Sequence, residues 1–324
     1  MHENNGRVYA GRFKIHPSFA VAYNTCITGS YRFGKMPEHN VAHGMVSAKA
    51  YSRIMDAVQW LLFFSEVKTV YSRKKRKHFG FRLAFITLTI SSASEFTDTY
   101  ILEHLLQPFL KWMARKHNAI NYIWKAEIQP KRYYMRGERC IHFHITINKF
   151  IHYLAIRHKW NRLQIAHGLL KEGIDAPSTE IRSVIKDEQI GYYLAKYITK
   201  KPETDELKVT CKVWGCNHVL SNLRIVTSEE DSSTWYEDIT TYLHSFTTKK
   251  IQHDYCCVYY SKIKMKDKFP PSINEQIVAA RDIFNSKDDY VLKYYITESK
   301  ESVIIEKKSE NLPQRTFVQQ LKLL

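Results

Sequence analysis

The sequence predicts an α+β fold: an antiparallel sheet of the ferredoxin-like, RRM-like kind with helices on one face, plus N- and C-terminal extensions. Three observations carry this. Apolar residues switch between alternating and helical spacing in the order strand, helix, strand, strand, helix, strand, which is a split βαβ arrangement. The two middle strands are joined by a polar, basic stretch containing Arg136-Gly137-Glu138, residues suited to a turn. Capping residues stand where the helical stretches should begin.

Each element has its own justification. Residues 1–45 mix aromatic and basic side chains without a clear period. Val46 to Val67 places Ile54, Ala57, Val58, Leu61 and Leu62 at helical spacing, and the basic run Arg73-Lys74-Lys75-Arg76-Lys77 follows as a solvated loop or a phosphate contact. Phe85 to Ile90 alternates with β-branched residues and predicts a buried strand. Thr97 or Asp98 can cap a helix bearing Ile101, Leu105, Phe109, Leu110 and Met113. Strands are expected at Tyr122–Gln129 and Cys140–Asn148, a helix from His152 to about Ala166, and a strand at Glu180–Val184. Asp187 would then cap a helix bearing Tyr193 and Tyr197. Beyond Lys201-Pro202 the pattern is less legible, although Cys256 to Tyr260 is strand-like and Glu229-Glu230-Asp231 is acidic. The expected division is an N-terminal helical and basic extension (1–80), a central domain (81–204) and a C-terminal region without an assigned role (205–324).

Composition narrows the class. The 324 residues are 44% hydrophobic and 25% charged, as in ordinary globular proteins, which argues against disorder. A net charge of +17 points to a polyanionic partner, nucleic acid before an anionic membrane. The most apolar stretch, Ala57 to Val67, is too short to span a bilayer, and the first residues lack the apolar core of a secretory signal. Six cysteines in a chain of this length suit reduced thiols and a cytoplasmic location.

The chemistry centres on His142-Phe143-His144. Strand side chains alternate, so the two histidines share one face while Phe143 and Ile145 take the other. Neutral imidazoles are good ligands for a divalent ion. Glu127, on the preceding strand, is the best third ligand. Pairing it with His142 or His144 centres the connection near Tyr134–Arg136, among the turn residues. Some fifty residues later, Tyr193 and Tyr197 stand one helical turn apart, with Lys196 and Lys200 beside them. A phenol of ordinary pKa, about 10, is a poor nucleophile. It becomes a useful one if a metal polarises a phosphate and a lysine offsets the charge. Tyr192, about 100° around the helix, is a bystander.

At these residues the chain resembles the HUH endonucleases, and among them the two-tyrosine rolling-circle replication initiators of circular single-stranded DNA phages. Phe85-Ile86-Thr87-Leu88-Thr89 is similar to the family's first strand motif. Ile141 to Ile145 matches the histidine–hydrophobe–histidine motif, and Tyr193-Leu194-Ala195-Lys196-Tyr197-Ile198-Thr199-Lys200 resembles the tyrosine motif. The resemblance spans about residues 83–201. It implies Mg²⁺ or Mn²⁺ on His142 and His144, with Glu127 a less uniform third ligand. It also implies nucleophilic Tyr193 and Tyr197 assisted by Lys196. The expected activity is site-specific nicking and joining of single-stranded DNA, leaving a free 3′ hydroxyl and a 5′-phosphotyrosine. Lys212-Val213-Trp214-Gly215-Cys216 is similar to a segment downstream of the tyrosines in phage-type members. A transposase or relaxase with the same chemistry is the alternative nearest to this, and paired tyrosines on one helix favour replication. A nuclease using water and a non-catalytic RRM-like nucleic-acid-binding protein are further alternatives; the last would need solvent-facing aromatics on the central strands.

Lys131, Arg132, Arg136 and Arg139, together with Lys200, are the expected contacts to the DNA backbone, with Tyr133 or Tyr134 available to stack on an unpaired base. A solvated hairpin is the alternative for the first four. Gly29-Ser30-Tyr31-Arg32-Phe33-Gly34-Lys35 has P-loop spacing, but Met36 stands where Ser or Thr should hold Mg²⁺. No nucleotide cofactor is therefore expected, and a helicase and a DNA polymerase would come from the host. Cys211, Cys216 and His218 have an unusual spacing for zinc, so thiols are expected there instead.

Overall fold

The computed structural model describes residues 2–4, 7–17, 19–26, 46–72, 76–92, 95–184, 202–223, 225–228, 247–252, 256–261, 271–285, 290–297, 300–307 and 320–321. These fall into two compact units: residues 40–217, and residues 1–39 together with 218–324.

In the second of these, strands β1 (His2–Asn4), β2 (Arg7–Ile15) and β3 (Phe19–Cys26) form an antiparallel sheet with strands from the far end of the chain. Cys256–Ser261 pairs with β3, Thr247–Gln252 adds the outer edge, and Ile225–Ser228 pairs with β2. Ala20, Ile15, Cys257 and Tyr259 are buried in this unit. The helix Pro271–Asn285 buries Ile273, Ile277, Ala280 and Phe284, an apolar stripe at helical spacing.

The unit spanning 40–217 begins with helix α1 (Ala48–Phe64), capped by Ser47, whose hydroxyl accepts from the Ala50 amide. A hairpin of β4 (Lys68–Ser72) and β5 (Lys77–Phe81) follows. The main sheet is built from β6 (Leu83–Thr89), β7 (Tyr122–Ile128), β8 (Ile141–Ile147), β9 (Thr179–Val184) and β10 (Trp214–Cys216). Their order across the sheet is β10-β7-β8-β6-β9, with every neighbouring pair antiparallel. Thus β6 and β7 run parallel, with β8 between them.

The connection from β6 to β7 is helical: α2 (Asp98–Ile101), a π-helical turn over Leu102–Leu106, then α3 (Gln107–His117). Thr97 is the cap, its hydroxyl accepting from the Tyr100 amide, and Asn118 ends the run in the left-handed region at φ 51°. One sheet face is the core. Ile86, Leu88, Phe143, Ile145 and Trp124 meet Leu105, Phe109 and Met113 of the helical run and Trp160 of α5 (Tyr153–Ala166). Phe143 and Phe109 both meet Trp160 edge-on, and the Trp160 indole N–H donates to the Thr89 carbonyl at 2.9 Å.

The connection between β7 and β8 is a short helix, α4 (Pro130–Arg136), rather than a bare turn. Pro130 occupies its first turn and Gly137, at φ 65°, closes it, an asymmetry suited to both residues. The segment Lys212 to Cys216 also acquires a physical role. It supplies β10, and a Cβ on Gly215 would lie 2.8 Å from the Trp124 indole nitrogen, so only glycine lets this edge strand close on β7.

Asp98 does not cap a helix. It is 2% exposed and accepts from both ends of the Arg139 guanidinium, at 2.8 and 2.6 Å, and from the Thr210 amide and hydroxyl. Burial alone would raise its carboxyl, but the hydrogen bonds from Arg139 and Thr210 outweigh that and hold it below its ordinary value. The pair ties α2 to the start of β8 and to the chain after residue 202. Arg139→Ala leaves this carboxylate buried without its cation and should destabilise the unit by about 3 kcal/mol, the low end for a buried pair because Arg139 is 36% exposed. A carboxyl depressed by folding adds stability above its unfolded pKa, about 4, and loses it as pH falls through the folded value. Urea melts from pH 7 down to pH 3 should therefore show an acid loss that is shallower in Asp98→Asn.

Candidate metal centre

The second face of the sheet is polar, and register fixes what meets on it. Glu127 pairs with His142 across β7 and β8, and Lys125 with His144. On the other side of β8, Thr87 stands opposite His144 and Thr89 opposite His142. Odd residues of β8 (Ile141, Phe143, Ile145, Ile147) belong to the core, so its even residues face this side. Both histidines are nonetheless buried, His142 at 8% and His144 at 6% exposed.

The three expected ligands come together. Glu127 Oε1 lies 2.6 Å from His142 Nε2 and 3.1 Å from His144 Nε2. One ligand atom from each residue lies within 4.8 Å of the others, and this is the one group of its kind among the described residues. Two imidazole nitrogens and a carboxylate oxygen converging on one point are a donor set that fits a divalent ion. Burial works against an ionised Glu127, but hydrogen bonds from His142 and His144 overcome it and hold the carboxyl well below the usual range. Burial, the largest influence on His144, lowers its pKa and favours the neutral imidazole that a metal requires.

The triad opens into a cleft of about 470 Å³ lined also by Thr87, Thr89, Gln129, Pro130, Lys131, Pro177, Ser178, Thr179 and Glu180. Sequence reasoning missed the contribution of residues 177–180, which precede and begin β9. The signal was available only through strand order, since β9 must pair with β6 before Glu180 can stand opposite Thr87. A second omission was the part β6 plays beside the triad: Thr87 Oγ1 lies 3.2 Å from His144 Nδ1, and the Phe85 ring stacks on the His144 ring at 5.3 Å.

The basic residues around α4 separate into two groups. Lys131 and Arg136 are exposed, and Lys131 lines the cleft. Arg132 is tied to Glu138 and donates to the Ile90 carbonyl at 2.6 Å, and Arg139 is held by Asp98 and by the Lys208 carbonyl. Tyr134 is 57% exposed, its hydroxyl 3.1 Å from Glu203 Oε2. Tyr193, Lys196, Tyr197 and Lys200 lie outside the described residues, as do Asp187 and the P-loop-like segment at 29–35. Cys211 and Cys216 are free thiols, Cys211 pushed up to about 12 and Cys216 to about 11, chiefly by burial. Among the described residues, no helix is long and apolar enough to cross a membrane.

Fold and site together define a class: an α+β protein whose antiparallel sheet carries a Glu-His-His group able to hold a divalent metal ion. Residues 83–202 match the family model of the replication-associated protein ORF2. That stretch is less than half of the chain, yet it holds the whole triad and the tyrosine motif. The match is consistent with a rolling-circle replication initiator. A search of curated proteins and a search of solved structures each returned no match.

Proposed function

We propose that this chain initiates rolling-circle replication by nicking and rejoining single-stranded DNA at a specific origin, with residues 81–204 as the nicking domain. The observation that carries the reading is the triad: Glu127, His142 and His144 converge at the floor of a cleft, within the stretch similar to replication-associated proteins. The strand order, with β8 inserted between parallel β6 and β7, supports the ferredoxin-like form of the sheet. The central strands present Thr87, Glu127, His142 and His144 on their polar face instead of stacking aromatics, which disfavours a purely RRM-like binding role.

In this mechanism His142, His144 and Glu127 would hold Mg²⁺ or Mn²⁺. When bound, the ion supplies Lewis-acid polarisation of the scissile phosphate. The hydroxyl oxygen of Tyr193 or Tyr197 attacks phosphorus, the bond to the 3′ oxygen breaks, and the phenolic proton is given up while the departing 3′ oxygen gains one. The product is a 5′-phosphotyrosine, which conserves the bond for later joining. Lys196 offsets charge on the phosphotyrosine. The second tyrosine would cleave again to end a round. Helicase and polymerase would be host proteins.

The DNA backbone would run past Lys131, Arg136 and Lys200. Arg132 and Arg139 have structural partners and would contribute less. Removing Lys131 and Arg136 together should weaken binding of single-stranded DNA and reduce the slope of log K against log salt by about 1.4, at roughly 0.7 per phosphate contact. An unchanged slope in filter binding from 50 to 300 mM NaCl would remove both from the interface.

The reading is tested by mixing the protein with Mn²⁺ and labelled single-stranded DNA from the circular element that encodes it. A protein–DNA adduct surviving a denaturing gel, with a 3′ hydroxyl on the released strand, is the expected result. Binding without any cleavage of DNA containing the origin would favour the non-catalytic alternative.

A further inference from the structure

The first strand of the sheet does more than fill the core. Its polar-face residues, Phe85 and Thr87, both touch His144 and neither is a candidate ligand. Thr87 stands directly opposite His144 across the β6–β8 pair, with its Oγ1 3.2 Å from Nδ1. Phe85, two residues earlier on the same face, lays its ring on the imidazole at an interplanar angle of 21°. The ring nitrogen on the other side, Nε2, faces Glu127 at 3.1 Å. His142 has Thr89 opposite it, and its contacts are to Glu127 and to the His144 ring. The two histidines are thus held differently, and only His144 is gripped from β6.

Neutral imidazole carries one N–H, so a ring that ligates through Nε2 must keep its proton on Nδ1. An acceptor at Nδ1 selects that tautomer, and a stacked ring selects the rotamer. We propose that Thr87 and Phe85 are positioning residues that pre-set His144 as an Nε2 metal ligand, with Thr87 Oγ1 accepting from Nδ1–H. This rests on the triad holding a divalent ion. Partners of this kind fix ligand orientation in metal sites, and their loss typically weakens metal affinity by about 10–100-fold. The Thr87 hydroxyl hydrogen then points away from the imidazole, toward the cleft that Thr87 also lines.

The experiment is Mn²⁺ titration of the full chain by calorimetry and by electron paramagnetic resonance of free Mn²⁺, without DNA. Thr87→Val keeps the β-branched shape and removes the acceptor. It should raise the Mn²⁺ dissociation constant about tenfold. Thr87→Ser should stay within about threefold of wild type because it restores the acceptor. Phe85→Leu should raise the constant by a smaller factor while the circular dichroism stays unchanged. Thr89→Val, the same change opposite His142, serves as control and should have little effect. Equal affinity in wild type and Thr87→Val, or equal losses in Thr87→Val and Thr87→Ser, would overturn the proposal. A wild-type chain that binds no Mn²⁺ would instead overturn the metal site itself, so the two failures are distinct.

Discussion

Replacing both His142 and His144 with alanine is expected to abolish Mn²⁺ binding and to lower cleavage of single-stranded DNA by about a thousandfold, on the order of 4 kcal/mol of transition-state stabilisation. The size of the effect follows from how the ligands are built. All three come from adjacent strands in fixed register, so no loop rearrangement can substitute another donor. Nor is there another metal-capable group among the described residues to take over. The double substitution also leaves Glu127 half-enclosed without its two hydrogen-bond partners, which should cost about 1–3 kcal/mol of stability. Folding must therefore be followed separately by circular dichroism. Glu127→Gln is the gentler variant: it keeps the shape and removes the charge, and should weaken metal binding while both histidines remain. If Mn²⁺ affinity and cleavage both survive loss of the two histidines, the metal site is elsewhere.

The triad was legible in the sequence because each step rested on a local rule. Alternation put His142 and His144 on one face, and the turn chemistry of Arg136-Gly137 set a register that brings Glu127 opposite His142, as found. The element boundaries also came close: the helix expected from Val46 is Ala48–Phe64, and the strand expected from Cys140 is Ile141–Ile147. What depended on distant partners was not legible. Arg139 reads as a surface cation until Asp98, forty-one residues earlier, is placed against it. Trp214-Gly215-Cys216 carries too few residues to announce a strand, and only the Trp124 indole explains its glycine. Pro130 to Arg136 was expected as a turn because Pro, Gly and basic residues suit one, although Pro at the start and Gly at the end also frame a short helix. The pairing of strands from both chain ends in one sheet lies further still from any local signal, since its contacts span most of the chain.

The second large effect concerns the tyrosines. Tyr193→Phe with Tyr197→Phe removes two oxygen atoms and little else, so DNA affinity and Mn²⁺ binding should stay within about twofold of wild type. The covalent adduct should fall below detection, because a phenylalanine ring offers no nucleophile at the position a phenol would occupy. The single variants separate the roles. If either tyrosine can open the origin and the other closes the round, each single variant should still form an adduct but release few rejoined circles. If one tyrosine alone acts, its single variant should match the double. Cleavage that persists without an adduct in the double variant would assign the attack to water and reduce the tyrosine motif to packing. Such a result would leave the metal centre standing, because the histidines and Glu127 meet through strand register and owe nothing to the residues that follow Val184.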